Sequence, residues 1–349
     1  MRFLLCFHVL LVGVLLLPGS AFSAWNTTRI EDRDYVLLDE VAAVFGMKRA
    51  QARREPREIA YVGEAHQLVV KTGTREAIVD GVRHFFSYPV VSSAGRPRIS
   101  VADINATLGP AMSPASIKSL QAVKTIVLDP GHGGHDKGGR SPYGYEKDYT
   151  LDMVNRVRRI LEAKKVKVVQ SRLSDFYASL EERPAMTKNY AKPIFVSIHF
   201  NSADWKPSAN GVEVYALPPL GCPTTGKSPD PILDRRTSSG NQVELASFVL
   251  ANTIHHAILG KTGAFDRGVK RARYAVLRHA AVPGVLIECG FLTNPGESKQ
   301  IDTTQWREKY AQAIAEGILA YTNLAGSREL PPRIWNYERK STDEFVLEE

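Results

Sequence analysis

The chain has 349 residues, with 45 Lys and Arg against 37 Asp and Glu, nine His and three Cys, for a net charge of +8 and a pI near 9.3. That length accommodates two domains, and the basic surplus favours polyanionic surroundings. The cations fall in short dispersed clusters such as Lys48-Arg49, Arg53-Arg54 and Lys270-Arg271, without interleaved aromatic and basic motifs. Nucleic acid is therefore set aside in favour of anionic surfaces or plain solvated faces.

Arg2, the apolar stretch Phe3 to Leu17 and the small-residue run Pro18 to Ala24 read as a secretory signal peptide spanning residues 1–23. The apolar stretch falls short of the ~20 residues a spanning helix needs, so no integral membrane span is expected after cleavage. Small residues at Ala21 and Ser23 favour cleavage after Ser23, with Ala21 and Ala24 as neighbouring sites. Cys6 is removed with the peptide, leaving Cys222 in a Pro/Gly loop and Cys289 in an apolar run. An oxidising compartment would permit a disulfide between them, although Cys289 reads better as a small apolar filler. Neither has the histidine-flanked setting of a nucleophile.

Residues 25–115 form a first, small α+β unit. Short β patterns (HQLVVKTG, EAIVDG, HFFSYPVV, RPRISV) alternate with helical stretches at LLDEVAAVFG and VADINATLG, each preceded by a strand-like run, which suggests a duplicated strand–helix unit flanking hairpins. Asp80-Gly81 is the signature of a hairpin turn. His66 and His84 read as structural or exposed. Met112 to Val123 is a linker.

Residues 124–325 alternate strand patterns (VKVVQS, PIFVSIH, GVEVYA, YAVLR, GVLIEC) with helices near 148–164, 176–191, 242–259 and 305–324. This argues an α/β fold, a mostly parallel twisted sheet with helices on both faces. TIVLDPGHGGHDKGG joins an apolar β segment to His132, held between glycines at a strand's end. A Gly-rich loop after a strand also suits phosphate, but Lys137-Gly138-Gly139 supplies neither the Lys-Ser/Thr pair nor the spaced glycines of those motifs. Glu146 stands at the start of a helix whose apolar positions are Leu151, Val154, Val157 and Leu161. His199 ends the apolar run Pro193 to Ile198, and Glu288 closes GVLIECGF, where a carboxylate is costly to bury without a partner.

Ligands of open α/β sheets collect outside the carboxyl ends of the strands, so these groups can converge there. Each alone has a plainer reading: Glu146 as a helix-dipole or capping partner, His199 and Glu288 as solvated strand ends. Their co-occurrence in one chain shifts the balance toward a metal site.

IVLDPGHGG, GYEK, QSRLSD, SLEER, FVSIHFNS, GVEVY, RGVK, YAVLR and VLIECGFLTNP, in that order, make residues 124–322 resemble the zinc-dependent N-acetylmuramoyl-L-alanine amidases of type 3. The resemblance implies Zn²⁺ held by His132, Glu146 and His199, with Glu288 as the catalytic carboxylate. It also implies peptidoglycan as substrate, cut between N-acetylmuramic acid and L-alanine for wall remodelling or daughter-cell separation. A zinc peptidase acting on stem peptides and a non-catalytic wall-binding protein are the competing readings. His135 occupies a variable position and is expected to be exposed or substrate-facing. SLEERPAMTKNYAKPIF, with Pro184 and Pro193, departs from the family pattern, which implies a shifted helix end with the site retained.

Residues 25–115 resemble, more weakly, the N-terminal-like domain of copper amine oxidases, without copper. This unit is expected to target the wall or an envelope protein partner, or to act as a spacer. Some relatives carry an autoinhibitory helix in the region from Leu217 to Gly240; the five prolines there argue against one here. The tail 326–349 is expected to be peripheral, and the location periplasmic or at the extracellular wall.

Overall fold

The computed structural model describes residues 25–52, 57–328 and 345–347. The signal-peptide expectation for residues 1–23 lies outside the described residues, as does most of the 326–349 tail. β1 (Thr28–Ile30), β2 (Arg33–Leu37), β8 (Val91–Ser93) and β9 (Arg96–Ser100) form a four-stranded sheet in the order β1-β2-β9-β8. β2 runs straight into α1 (Leu38–Val44) and β9 into α2 (Val101–Asp103), whose first turn is capped by the Ser100 hydroxyl. The two strands pair antiparallel, so the two strand–helix units meet at one sheet. β3 (Lys48–Ala52), β4 (Glu58–Val62), β5 (Gln67–Lys71), β6 (Glu76–Val79) and β7 (Val82–Phe85) make an antiparallel meander. At its last hairpin Asp80 and Gly81 both take positive φ, 49° and 85°, the geometry a two-residue turn requires.

The second half contains β10 (Thr125–Pro130), α4 (Glu146–Ala163), β11 (Val168–Gln170), β12 (Pro193–Asn201), β13 (Val212–Ala216) and α6 (Glu244–Thr262). β14 (Asp266–Arg271), β15 (Gly284–Phe291) and a C-terminal helix, Thr304–Ser327, follow. Its strands lie in the order β11-β10-β12-β15-β13-β14, parallel except where β13 meets β15.

Strand alternation sorts the two faces. Ile126, Leu128, Val196, Ile198, Val214, Ile287 and their neighbours face α4, α6 and the C-terminal helix in the main core. Val127, Phe195 and Leu286 face the other way, onto a short helix, Ala275–His279, that contributes Val276 and Leu277. This second cover is thin, and the side chains of the same face beyond it form the candidate site.

The two halves share a sheet edge. β7 bridges β14 through His84 and Val269, and the meander extends the sheet beyond it. His84 is fully buried, with Nδ1 against Val82 O and Nε2 3.0 Å from Asn252 Oδ1. The Arg83 amide donates to Asp266 at 2.7 Å. Pro110 cannot donate to Ala106, four residues back, and the Arg271 guanidinium donates to that carbonyl instead. A π-helical turn, Ile104–Leu108, precedes Pro110, so the stretch expected as one helix is wound in three pieces.

Two expectations fail. YAVLR is a helix, because its short apolar run is equally compatible with either period and Val276 and Leu277 are needed on one side only. The helix expected over 176–191 shrinks to Glu182–Ala185 and a 3₁₀ turn at Met186–Asn189, next to Pro184. Both cysteines are buried and free: Cys222 packs with Tyr35 and Tyr88, Cys289 in the main core.

Glu297, in the helix Pro295–Ile301, accepts from the amides of Phe291 at 2.7 Å and Gly211 at 3.1 Å, tying the end of β15 to the start of β13. Burial pushes its carboxyl up to about 7 from an ordinary 4.5. An acid with a raised folded pKa binds more protons folded than unfolded, so its contribution to stability falls as pH rises through that interval. The Tm of wild type relative to Glu297→Gln should therefore fall between pH 4.5 and 7.5 in differential scanning calorimetry; a pH-independent difference would refute the assignment.

Candidate metal centre

β10 ends at Pro130, and the chain turns through His132 at φ 60°, Gly133 and Gly134, all at positive φ. This left-handed step is uncommon for a residue with a side chain and swings the His132 ring over the strand ends. Two buried arginines pin the turn. Arg172 donates to Pro130 O at 3.1 Å and to Gly131 O at 2.9 Å, and Arg183 donates to Pro130 O at 2.7 Å and His132 O at 2.8 Å.

Glu146 opens α4 and is almost completely buried. Its Oε1 lies 3.1 Å from His132 Nε2 and 3.0 Å from His199 Nδ1 and accepts from the Phe200 amide at 3.0 Å, while Oε2 accepts from the Gly139 amide at 2.7 Å. Burial alone would raise its carboxyl; the facing imidazoles of His132 and His199 outweigh that and hold it well below the usual range. His132, Glu146 and His199 each offer one donor atom, all within 4.8 Å of one another, and among the described residues theirs is the one such cluster that could hold a metal ion. His132 Nδ1 lies 2.8 Å from Asp136 Oδ2. A proton shared there leaves Nε2 as a bare donor. Two glycines permit the closeness: a Cβ at Gly131 would overlap the His199 ring, and one at Gly138 would meet Glu146 Oε2 and the His132 ring.

Glu288 stands beside this cluster by strand register. His199 on β12 pairs with Glu288 on β15, which pairs with Glu213 on β13, so the three form a row across one face. Oε2 of Glu288 is buried without a hydrogen-bond partner among the described residues. Burial pushes its carboxyl well above the ordinary value, Glu146 and Glu213 add to that, and Lys270 opposes it. Glu213 is itself buried and ion-paired to Arg267 and, at 2.9 Å, to Lys270; the Tyr215 hydroxyl donates to it. His135 stays outside the cluster, exposed, with its ring tilted 34° against that of Tyr177 and centroids 4.3 Å apart.

The model of a known family, described as N-acetylmuramoyl-L-alanine amidase (Amidase_3), matches residues 126–320. The chain belongs to that family. It is 29% identical over 252 residues to the N-acetylmuramoyl-L-alanine amidase LytC of Bacillus subtilis, covering 72% of this chain and 43% of LytC. It is 33% identical over 221 residues to the amidase AmiC of Neisseria meningitidis, covering 57% and 53%. The chain thus spans about half the length of the curated relatives it matches. A solved N-acetylmuramoyl-L-alanine amidase from Clostridium difficile 630 superposes with a TM-score of 0.48 at 32% identity, covering 58% of this chain and 98% of that one.

Within the amidase domain the sequence pointed to the three clustered donors and to Glu288, but assigned no role to Asp136, Arg172, Arg183, Glu213 or Lys270. Four of these stand in the blocks QSRLSD, SLEER, GVEVY and RGVK. Their polar partners are remote in sequence, so no spacing reveals them; Asp136, four residues after His132, was the one readable signal.

Asp136→Asn should weaken metal binding about 10- to 100-fold in chelator competition, the usual effect of losing a ligand's outer partner. His132→Ala should lose stoichiometric metal altogether. Unchanged affinity in both would remove this cluster as a metal site.

Proposed function

We propose that the chain is a zinc-dependent N-acetylmuramoyl-L-alanine amidase that hydrolyses the amide between the lactyl carbonyl of N-acetylmuramic acid and L-alanine in peptidoglycan. The reading is carried by one juxtaposition: three convergent donors beside a buried carboxylate, Glu288, whose Oε2 has no partner among the described residues. Two imidazole nitrogens and one carboxylate oxygen suit Zn²⁺, and the two glycines that let the donors approach fit a resident ion. When bound, zinc supplies Lewis acidity toward water and the scissile carbonyl.

The chain's own groups do the rest. His132 and His199 are fixed in place by Asp136, Glu146 and the arginine-pinned turn, so the donors need little reorganisation. Glu288, its carboxyl raised by burial, takes the proton of the attacking water at Oε2 and delivers it to the alanine nitrogen as the C–N bond breaks. One water is consumed, and the products are a lactyl carboxylate and a free amine. The neighbouring Glu213 is neutralised by Lys270 and Arg267, which leaves Glu288 as the proton carrier of the row.

The same reading extends to the envelope. Secretion through a signal peptide over residues 1–23 would place the chain in the periplasm or at the cell wall, and no helix among the described residues is long and apolar enough to cross a membrane. We assign residues 25–115 to a unit resembling the copper amine oxidase N-terminal-like domain, residues 124–325 to the catalytic domain and 326–349 to a tail. The first unit is the surface for an envelope protein partner.

Residues 217–238 hold no helix and are tied down by hydrogen bonds: Tyr88 donates to Gly221 O at 2.8 Å and Arg273 to Cys222 O at 2.6 Å. The enzyme should accordingly be active without an activator. Mass spectrometry of fragments released from purified peptidoglycan by the chain alone should find intact stem peptides beginning at L-alanine. Glu288→Gln should lower the rate by about 10²- to 10⁴-fold while retaining zinc. Shortened peptides would establish a peptidase instead, and strict activator dependence would overturn the open-site reading.

A further inference from the structure

Arg267 is held in an unusual way for a half-exposed arginine. Its Nε is bonded to Glu213, and its guanidinium plane lies over the buried Phe291 ring, 4.8 Å from the centroid. Its two terminal nitrogens have no partner among the described residues, and the side chain keeps 29% of its surface exposed. The fork is thus locked in orientation yet free to receive two parallel hydrogen bonds, the geometry that recognises a carboxylate. Charge points the same way. Lys270 and Arg267 share the single carboxylate of Glu213, so one positive charge is in surplus beside Glu288.

Resting on the amidase reading, we infer that Arg267 binds a carboxylate of the stem peptide and thereby fixes on which side of Glu288 the peptide lies. The glycan offers no anion at this point, because the lactyl carboxyl is consumed in the scissile amide; the free carboxylates belong to the peptide. Reach selects among them. β14 is two strands from β15, about 10 Å at ~4.8 Å per strand, and Arg267 lies beside the start of β13, at the end of β15 that carries Glu288 and Phe291. The second stem residue lies about two residue lengths, ~7 Å, from the scissile carbon. Its α-carboxylate is free when the chain continues through its side-chain carboxyl, and an arginine leaning inward from β14 meets it.

The test uses the zinc-loaded full chain and two disaccharide-peptides that differ only in whether that second-residue carboxylate is free or amidated. Wild type should favour the free acid by tenfold or more in kcat/KM, on the order expected for charge-assisted hydrogen bonds. Arg267→Gln should lose about 10- to 100-fold more on the free acid than on the amide, mostly through KM, so that the preference for the free acid collapses. Arg267→Lys, which keeps charge without the fork, should fall between. Lys270 remains to neutralise Glu213 in both variants, and their Tm values report folding. Equal selectivity in wild type and Arg267→Gln, or equal losses on both substrates, would overturn the inference and leave the amidase reading standing. Failure of wild type to cut the muramoyl–alanine bond of either substrate would overturn both.

Discussion

A buried carboxylate organises the amidase half. Glu146 is 4% exposed, and an ionised group placed there without compensation costs several kcal/mol. Compensation comes from four directions: the Gly139 and Phe200 amides and the His132 and His199 rings. They come in pairs from two stretches of chain, His132 and Gly139 from the loop after β10 and His199 and Phe200 from the end of β12, so satisfying one charge fixes both stretches and the start of α4 against one another. The position at a helix N-terminus adds a favourable dipole. Metal-donor geometry and local stability are thus set by the same contacts.

Strand alternation then decides what lies on either side. One parity of β10, β12, β13 and β15 is apolar and sealed by long helices; the other carries Asp129, Ser197, His199, Glu213 and Glu288 under a short cover. A sheet sealed equally on both faces would bury the row completely. The N-terminal half meets this row from the far edge. β7 lines up against β14, and the Phe85 ring lies 5.6 Å from the Lys270 ammonium that neutralises Glu213. Residues 82–85 therefore belong to the support of the candidate site as much as to their own meander.

What the sequence made legible follows the range of the forces involved. The Asp-Gly turn, the long helices at 146–163, 244–262 and 304–327, and the apolar strands are encoded within a few residues and could be read. The donors His132, Glu146 and His199 were also readable, because glycines and strand ends mark them locally. The YAVLR helix was misread, since five residues contain too little periodicity to separate 2 from 3.6. Long-range pairings left no local trace. Nothing in VRHF announces β14 as its neighbour, and Arg172 and Arg183 look like surface arginines until the carbonyls they bind are seen.

Asp129 and Glu288 show how partners divide one chemistry into two roles. Both are acids in apolar strands and both lie on the same face. Asp129 is fully buried and satisfied, bonded by Ser171, by Ser197 at 2.7 Å and by Arg183 at 2.9 Å, so its charge is committed to holding β10, β12 and the arginine-pinned turn together. Glu288 keeps one oxygen unmatched, at a cost of about 1–3 kcal/mol for a buried polar atom. A fold that satisfies Asp129 so completely, two strands away on the same sheet, had the means to satisfy Glu288 as well. An unmatched oxygen next to candidate metal donors is destabilising in the resting protein and useful only when something arrives to share a proton with it, which is the condition the proposed role of general base requires.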